Sequence, residues 1–218
     1  MSNRTAQNQS LNRNEVSSHA TRSQLVACTI DALIEIGFTK TTGVEVCRRA
    51  GLTRGALNHH FPDFSELLVE TLQSIYRLMA DVQSDNVSVG LLEGIVIEGH
   101  ARIILPEFKA VIELWLASRN DQKLGQCLAE AIGQSAQLFA PEQVLAKNNT
   151  NLDLQDSTEF EAIYRTIFEA LIGIGFARAV GGGEPVAHES MVLQVLRDMG
   201  RQYDRKHEHG INTDSPEA

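Results

Sequence analysis

Apolar residues recur at helical spacing along most of this chain, and no other feature narrows the possible folds as much. Prolines, which helix interiors exclude, stand at positions 62, 106, 141 and 185, where helices are expected to begin or end. Between them there is no sustained alternation of period two and no Asn-Gly or Asp-Gly hairpin signal. With 43% hydrophobic residues in 218, the chain can bury a core. The sequence therefore predicts an all-α fold.

Charge is distributed unevenly along the chain. The formal net charge is −9, yet residues 1–61 carry seven basic and four acidic side chains, a balance of +3. A basic N-terminal quarter on an acidic body indicates that one end of the protein faces a polyanion. Apolar runs are far shorter than the roughly 18 residues that a membrane span needs, and the N-terminal residues lack the apolar centre of a signal peptide. We expect a cytoplasmic protein that does not associate with membranes.

Residues 42–61 have the pattern of two short helices joined by a tight turn. Gly51 can adopt the positive φ that ends the first helix, and Ala50 is small where two helices must cross closely. A helix-turn-helix of this kind places the N-terminal residues of its second helix in the DNA major groove. Gly55 and Ala56 would let the backbone approach the bases there. The side chains available for hydrogen bonds to DNA are Arg54, Asn58 and His59.

The run from Gly37 to Leu67, GFTKTTGVEVCRRAGLTRGALNHHFPDFSEL, has a far more specific spacing than a helix-turn-helix alone. Through this run, residues 22–67 resemble the TetR family of transcriptional regulators without a gap. The positions that follow the family pattern are Gly37, Phe38, Thr41, Thr42, Val46, Ala50, Gly51, Thr53, Gly55, Leu57, His60, Phe61 and Leu67. Two positions depart from it, because Asn58 replaces the family's tyrosine and Phe64 replaces its lysine. Both family residues usually touch DNA phosphates, so the resemblance implies fewer backbone contacts at these points.

The resemblance also implies a role for individual residues at the DNA. Phosphate contacts would set the register, and base contacts would select the sequence. The residues implied to contact phosphates are Arg22, Thr41, Thr42 and His59, while Thr53 would cap the second helix of the motif and donate to a phosphate. Those implied to face base edges are Arg54, Ala56 and Asn58. The full predicted DNA-binding set is Arg22, Thr41, Thr42, Thr53, Arg54, Gly55, Ala56, Asn58, His59 and His60.

Helical patterning and the resemblance together divide the chain into segments. Residues 1–19 are predicted to be a disordered polar arm, and Thr21 to Gln24 fits a capping box that begins the first helix. A helix-turn-helix DNA-binding domain is expected at residues 20–62. An effector-binding and dimerisation domain would follow at 63–205, beginning with a connecting helix at 63–82. A polar tail would occupy residues 206–218.

The last two predicted helices carry a stripe of small residues and an apolar face. On pattern alone, such a stripe is as often used for packing within the chain as for a dimer contact. TetR-like proteins dimerise through their final two helices, so the resemblance implies a homodimer on a palindromic operator. The predicted dimer residues are Ala162, Thr166, Ala170, Gly173, Ala177, Val192, Val195, Leu196 and Met199.

The stretch LPEFKAVIELWLASRNDQKL at residues 105–124 resembles, more weakly, a recurrent part of the effector domains of one TetR subgroup. Its helix is apolar on nearly every side and is therefore expected to be central. We expect a small, mainly lipophilic effector that controls DNA binding. The predicted ligand-binding residues are His100, Phe108, Glu113, Trp115, Arg119, Phe139 and Phe168, of which Trp115 also fits a core position.

Other classes of function are weighed against this interpretation. An enzyme is not expected, because the sequence has no nucleophile elbow, phosphate loop, HExxH or paired-carboxylate motif. No metal or cofactor is expected, since the adjacent His59 and His60 point in different directions on a helix. The alternative is a degenerate family member that acts as a protein-binding module or activator without a standard operator, because of Asn58 and Phe64. Our interpretation is a ligand-responsive, dimeric DNA-binding regulator, and a repressor by the habit of the family.

Overall fold

The computed structural model describes residues 2–82, 90–136, 140–143 and 157–207, apart from the side chains of residues 2–15, 135–136 and 157. Throughout these ranges the regular structure is helical and no strand occurs, which confirms the predicted all-α fold. No helix among them is both long and apolar enough to cross a membrane. The helices are α1 (Ser2–Ile36), α2 (Gly43–Ala50), α3 (Arg54–His60), α4 (Phe64–Asp81), α5 (Leu91–Ile103), α6 (Pro106–Asn120), α7 (Gln122–Ala136), α8 (Ser157–Val180) and α9 (Glu189–His207), with a 3-10 turn at Phe38–Lys40 between α1 and α2.

Helix α1 is longer than the sequence predicted. Residues 2–19, which we expected to be a disordered arm, form its N-terminal part, so the capping box at Thr21 does not begin a helix. The Thr21 hydroxyl instead donates to the carbonyl of Ser17 one turn earlier, at 3.0 Å. The segment contains neither glycine nor proline. No residue in it therefore ends the helix before Thr21.

The chain forms two compact units. The first consists of Met1–Arg77 and Lys109–Ser135, and the second of Leu78–Phe108 and Ala136–Ala218. Most of α4, the greater part of α6, and α7 therefore group with the N-terminal helices, whereas the sequence pattern divides the chain at residue 62. Helices α5, α8 and α9 belong to the second unit.

In the second unit, α9 packs closely against the start of α5. A Cβ at Gly200 would lie 2.9 Å from the backbone nitrogen of Glu93, so this approach requires glycine. One turn further along α9, the Asp204 carboxylate accepts from the N–H groups of Leu92 and Glu93 at 3.1 and 3.2 Å, and thereby caps α5. Leu196 is on the same side of α9 and is only 5% exposed. Packing within the unit therefore buries this residue, which the sequence placed in the dimer interface.

The opposite side of α9 and one face of α8 leave apolar surface exposed. On α8, Val180 is 71% exposed. On α9, Met191 is 64% exposed and Val195 is 65% exposed, and Val192 is also exposed. Ala170 and Met199 are half-buried. The remaining members of the small-residue stripe on α8, all exposed, are Ala162, Thr166, Gly173 and Ala177. Packing within the described part of the chain therefore does not use most of the stripe.

Candidate nucleic-acid interface

Helices α2 and α3 form a helix-turn-helix whose turn has the conformation that the sequence predicts. Gly51 has φ 64° and ψ 28°, the left-handed conformation that ends a helix. The Leu52 N–H donates to the Cys47 carbonyl at 3.0 Å, and the side-chain amide of Gln24 in α1 donates to the Ala50 carbonyl at 2.9 Å. Carbonyl groups that a helix end leaves without partners are thus satisfied here.

An apolar cluster joins α3 to α1, α2 and α4. Val46 and Phe61 have no exposed surface, and Leu57 is 3% exposed. Ala50 is 6% exposed, as expected of a small residue where the two helices cross. The fully assembled cluster contains Leu25, Val26, Val46, Cys47, Ala50, Leu57, Phe61 and Leu67. Burial of this set determines the orientation of α3, which is too short to be stable alone.

Phe64 packs against this cluster at the point where the family has a lysine. Its ring lies 3.7 Å from the position that a Cβ on Gly43, the first residue of α2, would occupy. The side chain therefore covers apolar surface between the starts of α2 and α4. At this departure from the family pattern, the side chain contributes packing within the protein.

Both helices of the motif begin at a threonine cap. Thr42 Oγ1 accepts from the Glu45 N–H at 3.3 Å, and Thr53 Oγ1 accepts from the Ala56 N–H at 3.1 Å. The predicted cap at Thr53 is confirmed. Both side chains are exposed. Because each oxygen only accepts in its cap, each hydroxyl hydrogen is available to a phosphate.

The solvent-facing side of α3 carries four of the residues predicted to bind DNA. Arg54 and Asn58 are exposed and, four residues apart, lie on one face of the helix. Gly55 and His59 are exposed on the adjoining side. Ala56, by contrast, is half-buried and lies on the other side of the helix, together with the half-buried His60. The structure thus groups Arg54 with Asn58 and separates Ala56 from them.

Two residues that the resemblance placed at phosphates have partners inside the protein. Thr41 is 3% exposed, and its hydroxyl donates to the Gly37 carbonyl at 2.8 Å, so it has no hydrogen left for DNA. The Arg22 guanidinium donates to the His60 carbonyl at 2.8 Å and forms an ion pair with Glu70. The sequence pattern alone did not show these partners, because most of them are distant in the chain.

Ion pairs neutralise the two arginines of α2. Arg48 and Arg49 pair with Glu45 at 2.7 and 2.8 Å, and Arg49 also pairs with Glu35 at 2.7 Å. Hydrogen bonds from Arg48 and then Arg49 lower the pKa of Glu45 to about 2, so its carboxylate stays ionised at neutral pH. Outside these pairs, the exposed cations among the described side chains of residues 36–62 are Lys40 and Arg54. Lys40 is missing from the predicted set, although its position two residues before the Thr42 cap is visible in the sequence.

Helix α6 contacts the segment that leads into the motif. The carboxylate of Glu113 accepts from the backbone N–H of Phe38 at 2.7 Å. One turn earlier, the Lys109 ammonium donates to the carbonyl of Ile34 near the end of α1, at 2.7 Å. Glu113 was predicted to anchor an effector. In the structure its partner is the 3-10 turn before α2, where the main-chain N–H of Phe38 has no helical acceptor.

Further contacts link α6 and α7 to α4. The Lys123 ammonium of α7 pairs with the Asp63 carboxylate at 2.5 Å, and this hydrogen bond holds the pKa of Asp63 well below its usual value. Trp115 of α6 donates its indole N–H to the Tyr76 hydroxyl of α4 at 3.2 Å. The α6–α7 segment of the first unit thus contacts α1, the 3-10 turn and α4.

The residues predicted to bind an effector belong to both units. Those in the first unit are Glu113, Trp115 and Arg119, those in the second are His100, Phe108 and Phe168, and Phe139 lies outside the described residues. In the second unit, Phe108 is 2% exposed and belongs to the core. His100 Nε2 lies 2.9 Å from a Glu189 carboxylate oxygen that also accepts from Arg178. Arg119 and Phe168 are exposed. His100 and Glu113 have intrachain partners that spacing could not reveal.

A family model matches the part of the chain that contains the motif. Residues 25–71 match the family described as bacterial regulatory proteins, tetR family. The matched segment runs from α1 through the first half of α4. The resemblance inferred from residues 22–67 is confirmed.

A regulator of Mycobacterium tuberculosis, described as an HTH-type transcriptional regulator, is 27% identical to this chain over 123 residues. The alignment covers 52% of this chain and 61% of that protein, so the chain spans about three fifths of the length of the first curated relatives that it matches. These relatives are described as HTH-type transcriptional regulators.

Solved structures of the same fold extend beyond the N-terminal domain. A transcriptional regulator from Rhodococcus sp. Rha1 superposes with a TM-score of 0.60 at 16% identity, over 83% of this chain and 96% of that one. The multidrug binding protein EbrR, solved in complex with imidazole, superposes with a TM-score of 0.54 at 16% identity, over 84% of this chain and 94% of that one. At these identities the likeness concerns the fold alone.

Proposed function

We propose that this chain, whose N-terminal domain is that of the TetR family, is a transcriptional regulator that binds a palindromic DNA operator as a homodimer. We take it to act in the cytoplasm as a repressor, and to leave the operator when a small, mainly lipophilic effector binds. The observation that carries the proposal is the exposed face of α3, where Arg54 and Asn58 stand side by side above a buried core. Arginine suits the acceptor pair of guanine, and asparagine suits adenine.

The surface around α3 supplies groups for the DNA backbone. The exposed hydroxyls of Thr42 and Thr53 lie at the starts of α2 and α3, where helix dipoles favour an anion. Lys40 is an exposed cation just before α2. We propose that these three residues contact phosphates, and that Lys40 replaces part of the attraction lost where Phe64 stands in place of lysine.

Replacement of Arg54 by alanine should cost about 1–3 kcal/mol of binding free energy at one base pair of the operator. The loss follows from removing a bidentate hydrogen bond to a base edge. Affinities of the wild-type and R54A proteins for the operator, and for duplexes changed at each position in turn, measure it. R54A should discriminate less at one position only. Equal weakening on every duplex would identify Arg54 as a phosphate contact instead.

Replacement of Lys40 by glutamine should weaken binding on all duplexes and leave base preference unchanged. Each phosphate contact that is lost reduces the slope of log affinity against log salt by about 1. Titrations at several salt concentrations give this slope. Lys206, an exposed lysine of the second unit paired with Glu159 at 2.5 Å, provides the matched control, since K206Q removes the same charge without a change in slope. An unaltered slope for K40Q would exclude the contact.

The proposed homodimer is supported by the exposed apolar face of α8 and α9. Apolar surface of this kind normally marks an interaction site. A second copy fits best, because two identical DNA-binding units then face the two halves of a palindrome. The small residues at Ala162, Thr166, Gly173 and Ala177 would allow the helices of the two copies to approach closely.

Control by an effector is supported by the contacts of α6 with the 3-10 turn and with α1. A shift of α6 would alter the hydrogen bonds of Glu113 to Phe38 and of Lys109 to Ile34, and with them the segment that leads into α2. An effector changes DNA affinity only if it binds one arrangement more tightly than the other. EbrR, of the same fold, is described as a multidrug binding protein, which supports a small-molecule ligand. Thermal shifts across a library of lipophilic compounds test this, and flat profiles throughout would contradict it.

Selection of bound duplexes from a random pool, repeated with compounds that raise the thermal midpoint, tests the function as a whole. We expect a palindromic consensus without compound and its loss with an effective one. The second candidate is a protein-binding module or activator without a standard operator, which Asn58 and Phe64 favour. Binding of every duplex at low salt without sequence preference would support that candidate and contradict ours.

A further inference from the structure

One side chain of α1 contacts both the end of α3 and the body of α4. Arg22 Nη1 donates to the carbonyl of His60, the last residue of α3, at 2.8 Å. Its Nη2 forms an ion pair with Glu70 of α4. The guanidinium carbon lies 4.1 Å from the centre of the Phe61 ring, a cation–π geometry. A single planar group therefore joins three helices of the first unit, α1, α3 and α4.

The end of α3 depends on such outside partners. The helix has seven residues, about two turns. The last carbonyl groups of any helix have no N–H donor within the helix. Its base-facing residues Arg54 and Asn58 lie within two turns of the His60 carbonyl. A small rotation of α3 would thus displace both side chains from the base edges that they are proposed to contact.

We propose that Arg22 is a positioning residue that sets the orientation of α3 for base recognition, and that it does not contact a DNA phosphate. The inference rests on the DNA-binding function proposed above. Two guanidinium nitrogens of Arg22 are occupied by the His60 carbonyl and the Glu70 carboxylate. One flat face of the guanidinium is covered by the Phe61 ring. A lysine ammonium has neither the fork nor the flat face that this arrangement uses. The carboxylate of Glu70 also reduces the attraction of Arg22 for a phosphate.

The two possible roles of Arg22 predict opposite effects of a substitution at Glu70 on DNA affinity. If Arg22 positions α3, Glu70→Gln removes one of its supports and weakens specific binding. If Arg22 contacts a phosphate, the same change frees the guanidinium and removes a nearby anion, so binding becomes stronger. We would measure operator affinity, non-specific duplex affinity, salt slope and thermal midpoint for R22Q, R22K, E70Q and the double variant R22Q/E70Q. Arg77 is exposed on α4. The variant R77Q is therefore the control for R22Q, because both remove one positive charge.

We expect the operator affinity of R22Q, R22K and E70Q to fall by about tenfold, which is the scale of one charge-assisted hydrogen bond. Non-specific affinity and salt slope should stay at wild-type values, and the double variant should bind no worse than the weaker single variant. R77Q should bind as wild type does. All affinities are taken well below the thermal midpoint of each variant, so that a loss of global stability alone leaves specific binding unchanged.

Three outcomes would overturn the inference: stronger binding by E70Q, wild-type specific affinity for both R22K and E70Q, or a salt slope that falls by about 1 in R22Q. If R22Q fails to fold, the part-exposed substitution E70Q and the charge-conserving R22K decide the matter. Failure of the proposed function is distinguishable, since the wild-type protein would then select no operator. A wild type that selects an operator while E70Q binds it more tightly would overturn the role of Arg22 alone.

Discussion

Replacement of Phe61 by alanine is expected to lower the free energy of unfolding of the first unit by about 3–5 kcal/mol. The side chain has no exposed surface and lies in the cluster that joins α3 to α1, α2 and α4. Its removal loses the transfer free energy of an aromatic ring and leaves a cavity that the surrounding helices fill only in part. The ring beneath the Arg22 guanidinium is lost as well. Sequence-specific DNA binding should disappear, because α3 loses its fixed orientation.

Denaturant unfolding followed by circular dichroism, together with operator binding, measures this effect. Val44 is 60% exposed on α2, so Val44→Ala is the control for truncating an apolar side chain in the same motif. V44A should change the unfolding free energy by less than about 0.5 kcal/mol. A Phe61→Ala protein as stable as V44A would show that the cluster does not determine the position of α3.

Replacement of Val195 by aspartate is expected to yield a monomer whose operator affinity is lower by about 10²–10⁴-fold. Val195 is 65% exposed, so the change costs the isolated chain little stability. In the proposed interface of α8 and α9, however, it would bury an unpaired carboxylate, which is strongly unfavourable. A monomer also loses the second DNA-binding unit, and with it the high effective concentration at the other half-site.

Light scattering at micromolar concentration and operator titration check this prediction. Ser190 is exposed near the start of α9 and points to another side of the helix than Val195, so Ser190→Asp introduces the same charge away from the proposed interface. S190D should remain a dimer and bind the operator as the wild type does. A dimeric Val195→Asp protein, or a monomeric wild type, would contradict the proposed interface.

The helix-turn-helix was predictable because the residues that build it interact over short distances in sequence. The caps at Thr42 and Thr53 each bond to the residue three positions later, and Gly51 ends α2 through its own φ. Local propensity misled only at the N-terminus, where a polar segment without glycine or proline continued α1 to Ser2.

Partners distant in sequence were not predictable. Glu113 contacts Phe38 across 75 residues, and Arg22 contacts His60 across 38. Thr41 looked available to DNA until the structure showed its hydroxyl donating to Gly37. Polar side chains form whichever hydrogen bonds the packed helices bring within reach, and a spacing pattern has no information about helices that approach from elsewhere.

The sequence by itself determined that the described part of the chain is helical, through its apolar period, and where α2 and α3 begin and end, through the threonine caps and Gly51. These properties follow from backbone propensity and from the 3.6-residue period, which act within single helices. Only the tertiary structure decided that Leu196 is buried while Val195 is exposed, and that Arg22 is committed to His60 and Glu70. The physical reason is that the role of a side chain on a helix depends on which neighbour covers its face, and neighbours are set by packing between helices.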